Sequence, residues 1–546
     1  MTWKDIETPR PYVRVPGNEA AEAMLAAAFG ILAGRSDANT LDRLLQTSSK
    51  GRALFMNDDC WWLYTDFQCH FHALYGWRPF ADARIRAGDF STWSAGFLDQ
   101  ADEALRERFR REFDMREVPP VGWLPAQYSD DESHFSCGTP SMFHSNCAAD
   151  KETWAFEEDK KYPGRHLFSR VGAHDLNPDY PLMNCISATD WMLWERDRRV
   201  AGEYAPRIER FLRALNTKAD TTGYFLFGTQ GSQIEYGHGG PRRQASTHLY
   251  YWKVLENLVG VYAMLDRPQQ AQRCRETAQE AAQKVARFES PGNWLVSGAG
   301  EDFGRTYGTG EMDGGASDYL EVWPNVNAAV LGFFSRERSR QLADRFEAVP
   351  ALHDNHLTVS NTPARPLDEL DADHDGFPMP GVHLNGGFFW MHGGSALGMY
   401  TRCGHPQTLA RLEGLLDDHR QHFSVDYYND WGRDKASQFP EHPPRTHSVT
   451  CAGAFGHFFR SVFGLTATGN SLRITPASLP QLDRLEMLEP ITWGGKTLRL
   501  TFSGHGRTIR KALLDGKEVG PEDGDSVEIL FDDLPSRAAL DIQLEE

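Results

Sequence analysis

Acidic side chains gather in four segments of this chain that are also rich in glycine and aromatic rings. The first reads Asn57-Asp58-Asp59-Cys60-Trp61-Trp62-Leu63-Tyr64-Thr65-Asp66, and the second, from Ser232 to Arg243, holds Glu235, His238, Arg242 and Arg243. The third holds Glu301, Asp302, Glu311, Asp313 and Asp318; the fourth reads Val425-Asp426-Tyr427-Tyr428-Asn429-Asp430-Trp431 and runs on to Glu441. Two carboxyl groups facing one cleft suit general acid–base chemistry: one gives a proton to a leaving oxygen, and the other, as carboxylate, activates water or attacks carbon. Rings beside them offer flat apolar surfaces, and 15 Trp in a chain with 12% aromatics leave rings to spare for polar, Gly-containing segments. That combination suits a cleft for carbohydrate. Core and loop packing still account for most of these rings, and a lone loop carboxylate is most often solvated.

Several histidines have the same setting. His238, His383, His392 and His447 lie in Gly-containing stretches and are candidates for hydrogen bonds to sugar hydroxyls or to phosphate, with no metal-ligand spacing around them. Asp371-Ala-Asp373-His-Asp375-Gly376 matches the first half of a calcium loop, but the twelfth position is Val382, so a structural Ca2+ on Asp371, Asp373 and Asp375 competes with a plain Asp-rich turn. No other cofactor is expected.

The elements that must position these groups are helices. Apolar residues recur at helical spacing near 18–33, 61–76, 93–114, 186–198, 201–216, 244–266, 268–288, 316–333, 335–347, 387–402, 405–422 and 447–463. Connections of one to three residues alternate with much longer ones rich in Gly, Pro, Asp and aromatics. A ring of helical hairpins puts its short turns at one end and its long loops at the other, and the long loops here precede every second helix. The reading is mainly α, an (α/α)6 barrel over residues 1–465; an open solenoid is disfavoured because no repeat of 30 to 45 residues is visible. From about 466 the pattern changes to short alternating runs, Ser471-Leu-Arg-Ile-Thr, Thr497-Leu-Arg-Leu-Thr-Phe, Lys511-Ala-Leu-Leu and Val527-Glu-Ile-Leu-Phe, which predict a small antiparallel β-sandwich-like domain over 466–546 with a packing role.

Composition narrows the partners. A formal charge of -19 repels polyphosphates and anionic membranes, so neither nucleic acid nor a membrane is an expected partner, and an oligosaccharide or small glycoside is. No basic start followed by an apolar run and no long apolar stretch is present, so a cytoplasmic location is expected. The 8 cysteines lack CxxC spacing and read as reduced, mostly buried thiols. Self-association is left open.

Short motifs carry resemblances. Val425-Asp426-Tyr427-Tyr428-Asn429-Asp430, followed by Thr446-His447-Ser448-Val449-Thr450-Cys451-Ala452-Gly453, resembles the C-terminal catalytic segment of glycoside hydrolase family 63, whose Glu-x-Tyr-Asn motif carries the general base. The resemblance puts Asp426 at that position, with Asp in place of Glu, and Asp430 and Glu441 as rivals. Trp62-Leu-Tyr-Thr-Asp66-Phe67 resembles the Trp-x-Trp-Asp-x-x-Phe helix start of that family, which makes Asp66 a sugar contact. The segment with Glu235 lies where family 63, the trehalases and the glucoamylases place their general acid, often with an Arg soon after, as Arg242 or Arg243 is here. Arg460-Ser-Val-Phe-Gly-Leu465 running into Leu472-Arg-Ile-Thr-Pro476 resembles the barrel-to-sandwich junction of the family 78 α-L-rhamnosidases, whose acid precedes the second helix; Asp58 and Asp59 are the rivals that likeness supplies. Leu384-Asn385-Gly386-Gly387-Phe388-Phe389-Trp390-Met391-His392 is similar to the Asn-Gly-Gly segment of the family 94 phosphorylases.

Together these expectations describe an inverting glycosidase: Glu235 as acid, Asp426 as base, Trp61, Trp62, Trp390 and Trp431 as stacking surfaces, and Asp66, Arg242, His238, His392 and Asp430 as further substrate contacts. A sugar phosphorylase, a lyase or epimerase, and a non-catalytic carbohydrate-binding protein on the same barrel are the alternatives.

Overall fold

The computed structural model describes residues 12–33, 45–47, 54–56, 74–81, 86, 89–90, 93–94, 156–158, 166–168, 179–216, 219, 223–225, 245–290, 292–296, 306–307, 310–311, 320–353, 361–362, 390–423, 448–521 and 524–545. Ten long helices lie in this set: α1 (Glu19–Ala33), α2 (Asp179–Glu195), α3 (Arg198–Asn216), α4 (Ala245–Met264), α5 (Pro268–Ala286), α6 (Val322–Val330), α7 (Arg336–Glu347), α8 (Trp390–Arg402), α9 (Thr408–Phe423) and α10 (Ser448–Phe463). Each coincides with a predicted helix. The predicted helices near 61–76 and 93–114 lie almost wholly outside the described residues, which retain only helical residues 74–77 and 93–94 of them.

Burial sorts the helices into two rings. Every described side chain of α2 from Leu182 to Trp194 is buried, and α4, α6, α8 and α10 are nearly as enclosed. By contrast α5 buries only Ala271, Cys274, Ala278, Ala281 and Val285, and α7 only Ser339, Leu342, Ala343 and Phe346, one stripe each at helical spacing. Helices enclosed all round form an inner layer, and α2 packs on α4, α4 on α6, α6 on α8 and α8 on α10. Backbone contact completes the ring: a Cβ built on Gly76 would sit 1.4 Å from the carbonyl oxygen of Gly456 in α10, so only glycine permits that crossing. The architecture is an (α/α)6 barrel followed by a β-domain.

The β-domain holds strands β2 (Leu465–Ala467), β3 (Ser471–Ile474), β4 (Arg484–Met487), β5 (Ile491–Trp493), β6 (Lys496–Ser503), β7 (Thr508–Leu514), β8 (Lys517–Glu518), β9 (Val527–Leu530) and β10 (Arg537–Glu545). With β1 (Val13–Arg14) from the amino-terminal segment, one sheet has the order β1-β4-β6-β10-β7-β8 with β5 on β6, and the other β2-β3-β9. Two features differ from the predicted layout. Strand β1 (Val13–Arg14) pairs with β4, so the amino-terminal segment assigned to the barrel contributes an edge strand to the sheet. And β6 pairs in parallel with β10 within an otherwise antiparallel sheet. Both pairings join segments far apart in sequence, which alternation of residue types cannot reveal.

The β-domain caps the short-turn end of the barrel. At the end of α2, Leu193 O accepts from Trp493 Nε1 at 3.0 Å, Trp194 O accepts from Gly494 N at 2.7 Å, and the Arg196 guanidinium lies 4.0 Å over the Phe531 ring. In α4 a Cβ on Gly260 would meet Gly469 N at 2.9 Å. Past α6, Arg336 donates to the carbonyls of Thr475 (2.9 Å) and Pro476 (2.8 Å), and past α8 the Cys403 carbonyl accepts from Arg507 at 3.1 Å. The packing role predicted for this domain is thus to close the barrel floor.

Candidate active site

With the short turns sealed, the opposite end of the inner ring is where the long connections leave and return. The first turns of the inner helices clamp them there. Asp179, the first residue of α2, is buried and accepts from Ser246 Oγ at 2.8 Å and from the Thr247 hydroxyl, both in the first turn of α4, which ties two neighbouring helix starts together. The Asp179 carboxyl group there also lies at the positive end of the α4 dipole.

A paired device follows the outer helices. After α3 the chain makes a small hairpin in which Ala219 pairs with Phe225; Phe225 N then donates to His248 Nε2 at 3.2 Å, with the two rings stacked at 4.9 Å. After α5, Glu289 pairs with Leu295, and Leu295 N donates to Asn325 Oδ1 at 2.7 Å while Asn325 Nδ2 donates to Leu295 O at 2.8 Å. In each case the return strand of the hairpin is bonded to the first turns of the next inner helix. Phe225 and Ala245, the described residues on either side of 226–244, which carries Glu235, are thus joined through the first turn of α4. A third clamp, the pairing of Leu320–Glu321 with Asn361–Thr362, holds the start of the connection that precedes α8. None of Asp179, His248 and Asn325 stands out in the sequence: a polar residue in the first turn of a helix is an ordinary cap until its partner across the fold is known.

Among the predicted site residues, two fall within described elements. Trp390 opens α8, and His392 lies in its first turn, fully buried, with its ring 4.8 Å from the Trp323 ring of α6. Trp323 and Glu321, both buried at the start of α6, add an indole and a carboxylate to this end of the barrel that were not among the predicted residues. Glu235, Asp426, Asp66, Trp61, Trp62, Arg242, His238, Asp430 and Trp431, with the rivals Asp58, Asp59 and Glu441, lie outside the described residues, as do Asp371, Asp373 and Asp375. Among the described residues no group of His, Cys, Asp and Glu is arranged to hold a metal, Cys185, Cys274 and Cys403 are free and buried, and no helix is long and apolar enough to cross a membrane.

Deeper in the ring lies a buried ionic cluster. Arg78 is bonded to Asp89 (Nε, 2.7 Å; Nη2, 3.1 Å) and through Nη1 to Asp190 Oδ2 at 2.5 Å. Asp190 in turn accepts from Arg460 Nη1 at 2.9 Å and Nη2 at 2.8 Å. Burial alone pushes the Asp190 carboxyl up, but Arg460 and Arg78 outweigh it and hold the group below the usual carboxylate range. Burial first, then the charge of Arg460, drives His457 down to about 3, so it stands neutral beside the Tyr75 ring, 5.2 Å away. The cluster knits the residues around 75–78 to α2 and α10 and fixes the inner ring from which the loop-end residues project.

No family model matches this chain, and no curated protein does. Among solved structures it is similar to a mannosylglycerate hydrolase of glycoside hydrolase family 63 from Thermus thermophilus in complex with Tris, at 12% identity over 76% of this chain and 98% of that one, with a TM-score of 0.43. It is similar also to a rhamnosidase from Klebsiella oxytoca with rhamnose bound (15% identity, 53% of this chain and 47% of that one, TM-score 0.34) and to a sialidase (11% identity, 63% and 32%, TM-score 0.43). The chain thus spans about half the length of that rhamnosidase and about a third of that sialidase.

Proposed function

We propose that the protein is a glycoside hydrolase whose reaction centre lies at the loop end of the barrel, with Glu235 as general acid and Asp426 as general base in an inverting reaction. The observation that supports this reading is the bonding of the described flanks of the long connections to the first turns of the inner helices: Phe225, just before 226–244, is bonded to His248 in α4, which starts at Ala245 just after it, and the segment that holds Asp426 runs between the end of α9 at Phe423 and the start of α10 at Ser448. In this mechanism Glu235, kept protonated, gives its proton to the glycosidic oxygen while Asp426 takes one from water on the opposite sugar face, with carboxyl groups about 6.5–9.5 Å apart. Trp61, Trp62, Trp390 and Trp431 stack on sugar rings, and Asp66, Arg242, His238, His392 and Asp430 bind hydroxyls. The substrate is an oligosaccharide or small glycoside, and the enzyme acts in the cytoplasm.

The test is a panel of aryl α- and β-glycosides and disaccharides with and without phosphate, with product anomers followed by NMR. Release of the inverted anomer without phosphate supports the reading. Release that depends on phosphate replaces it with a phosphorylase, the retained anomer removes inversion, and binding without turnover across the panel removes catalysis.

A further inference from the structure

The short turn that joins α8 to α9 is also a seam. Its backbone meets the β-domain three times: Cys403 O accepts from Arg507 Nη2 at 3.1 Å, Pro406 O accepts from Gln481 Nε2 at 2.6 Å, and a Cβ on Gly404 would sit 2.5 Å from Ser478 O. At the centre of this turn His405 is 3% exposed. Its backbone holds the turn from inside: His405 N donates to Tyr400 O at 2.9 Å, and His405 O accepts from Thr408 N at 3.0 Å and from Thr408 Oγ1 at 2.6 Å.

Both nitrogens of the His405 ring are committed. Nδ1 accepts from Gln407 N at 3.1 Å, the same reach, two residues on, that an Asp or Asn side chain makes in an Asx-turn. A ring nitrogen that accepts carries no proton, so the imidazole is the neutral Nε2–H tautomer, and Nε2 donates to Asp344 Oδ1 at 3.2 Å. A second proton can go only onto Nδ1, where it would point at the N–H of Gln407. Protonation of His405 therefore breaks the bond that leads the chain into α9.

The groups around the ring do not offset that loss. From α7 come Asp344, Arg340 and Glu347; the Arg340 Nε donates to the same Asp344 oxygen at 3.2 Å and so already answers its charge. From α9 comes Arg411, whose Nε is bonded to Glu347 at 2.7 Å. From α8 come the Cys403 thiol and Tyr400, whose ring lies 4.6 Å from His405 and whose hydroxyl donates to Glu347 at 2.9 Å. The β-domain adds Arg507, on the Cys403 carbonyl. Burial first, then the charge of Arg340, keeps the ring below the 6.5 of a free imidazole in spite of Asp344 and Glu347. An opened turn thus takes up a proton more readily than the closed one, and opening is favoured as the pH falls through and below 6.5.

We propose that His405 is an acid-released latch: neutral, it holds the α8–α9 turn and with it the seam between barrel and β-domain closed, and protonation frees the turn. The device is separate from the loop-end reaction centre and stands whether or not the glycosidase reading holds.

Hydrogen–deuterium exchange of the full chain tests it, read by mass spectrometry on peptides spanning 403–411 at pH 7.5 and 5.0 and corrected for the intrinsic pH dependence of exchange. With a free imidazole at 6.5 as the ceiling, opening of the turn grows by up to about thirty-fold over that interval. Peptides of α5 are the reference for loosening of the whole chain. His405→Asn keeps an acceptor for the Gln407 N–H but does not titrate, so its 403–411 peptides are expected to exchange alike at the two pH values. Extra exchange below about twofold in the wild type relative to α5, or an equal acid response in wild type and His405→Asn, overturns the proposal. If the variant does not fold, the wild-type comparison alone decides.

Discussion

Replacing Asp190 by Asn removes one formal charge and almost no volume, so the outcome reports the electrostatics of the barrel interior. The carboxylate takes three charged hydrogen bonds, from Arg78 Nη1 at 2.5 Å and from Arg460 Nη1 and Nη2 at 2.9 and 2.8 Å. The two arginines do not suffer equally. Arg78 keeps its two bonds to Asp89, whereas Arg460, 6% exposed, has no second carboxylate among the described residues and retains the carbonyls of Leu465 and Tyr75, each at 3.0 Å, and the rings of Tyr75 and Trp194. The Asn amide, moreover, turns a donor toward guanidinium N–H groups that need acceptors. Breaking one side of a buried ion pair in this way costs about 3–5 kcal/mol. Urea unfolding followed by tryptophan fluorescence and far-ultraviolet circular dichroism measures it, and at a slope of about 3 kcal/mol/M the midpoint falls by roughly 1–1.7 M. The second half of the cycle isolates the cause: Arg460→Met in the Asp190→Asn background removes the stranded cation, so the double variant is expected to be more stable than Asp190→Asn alone. A loss below about 1 kcal/mol, or a double variant whose losses simply add, would refute the idea that Asp190 is the counter-ion of Arg460.

Three shorter predictions follow. Glu235→Gln is expected to lower turnover by about 10²–10⁴ on any glycoside the wild type cleaves, with an unchanged circular dichroism spectrum; near-wild-type turnover removes Glu235 from the mechanism. Gly260→Ala places a methyl against Gly469 N at 2.9 Å and Leu193 Cδ2 at 3.0 Å, so the seam between barrel and β-domain must open, with a loss of about 1–3 kcal/mol in unfolding free energy; a neutral result would show that the seam yields freely. Lys253 lowers stability, because burial and the charge of Arg460 hold its folded value at about 8, below the 10.5 of a free lysine amine. The unfolded chain binds the extra proton between those two values, so stability rises with pH there, and the advantage of Lys253→Met is full below pH 8 and fades toward pH 10.5. Its size is about 3 kcal/mol, read as the gap in unfolding free energy between variant and wild type across that range.

Sequence alone determined the helices and their alternation of short and long connections. Outer helices gave the clearest signal because each carries one buried stripe; the apolar spacing over 268–288 marks α5 (Pro268–Ala286) to within two residues. Inner helices were harder. The start of α2 is Asp179, seven residues before the predicted start at 186, because a helix buried on every side has no polar face to set its period and Asn184, Ser187, Thr189 and Asp190 lie among its buried residues. Residue types near the loop end were legible one segment at a time, so Trp390 and His392 were found as members of a helix start, but the burial of His392 against Trp323 depends on a second helix. Only the tertiary structure joined Asp179 to Ser246, Phe225 to His248 and Asp190 to both Arg78 and Arg460, the last pair 112 and 270 positions away from it. It also decided which end of the barrel is closed, through contacts of Arg196, Gly260, Arg336 and Cys403 with the β-domain. The physical reason is the range of the forces involved. Local spacing and capping act within a few residues and are written along the chain. Ion pairs, backbone contacts between glycines and strand pairing act across a few ångströms of space, and the chain reaches that proximity only by folding.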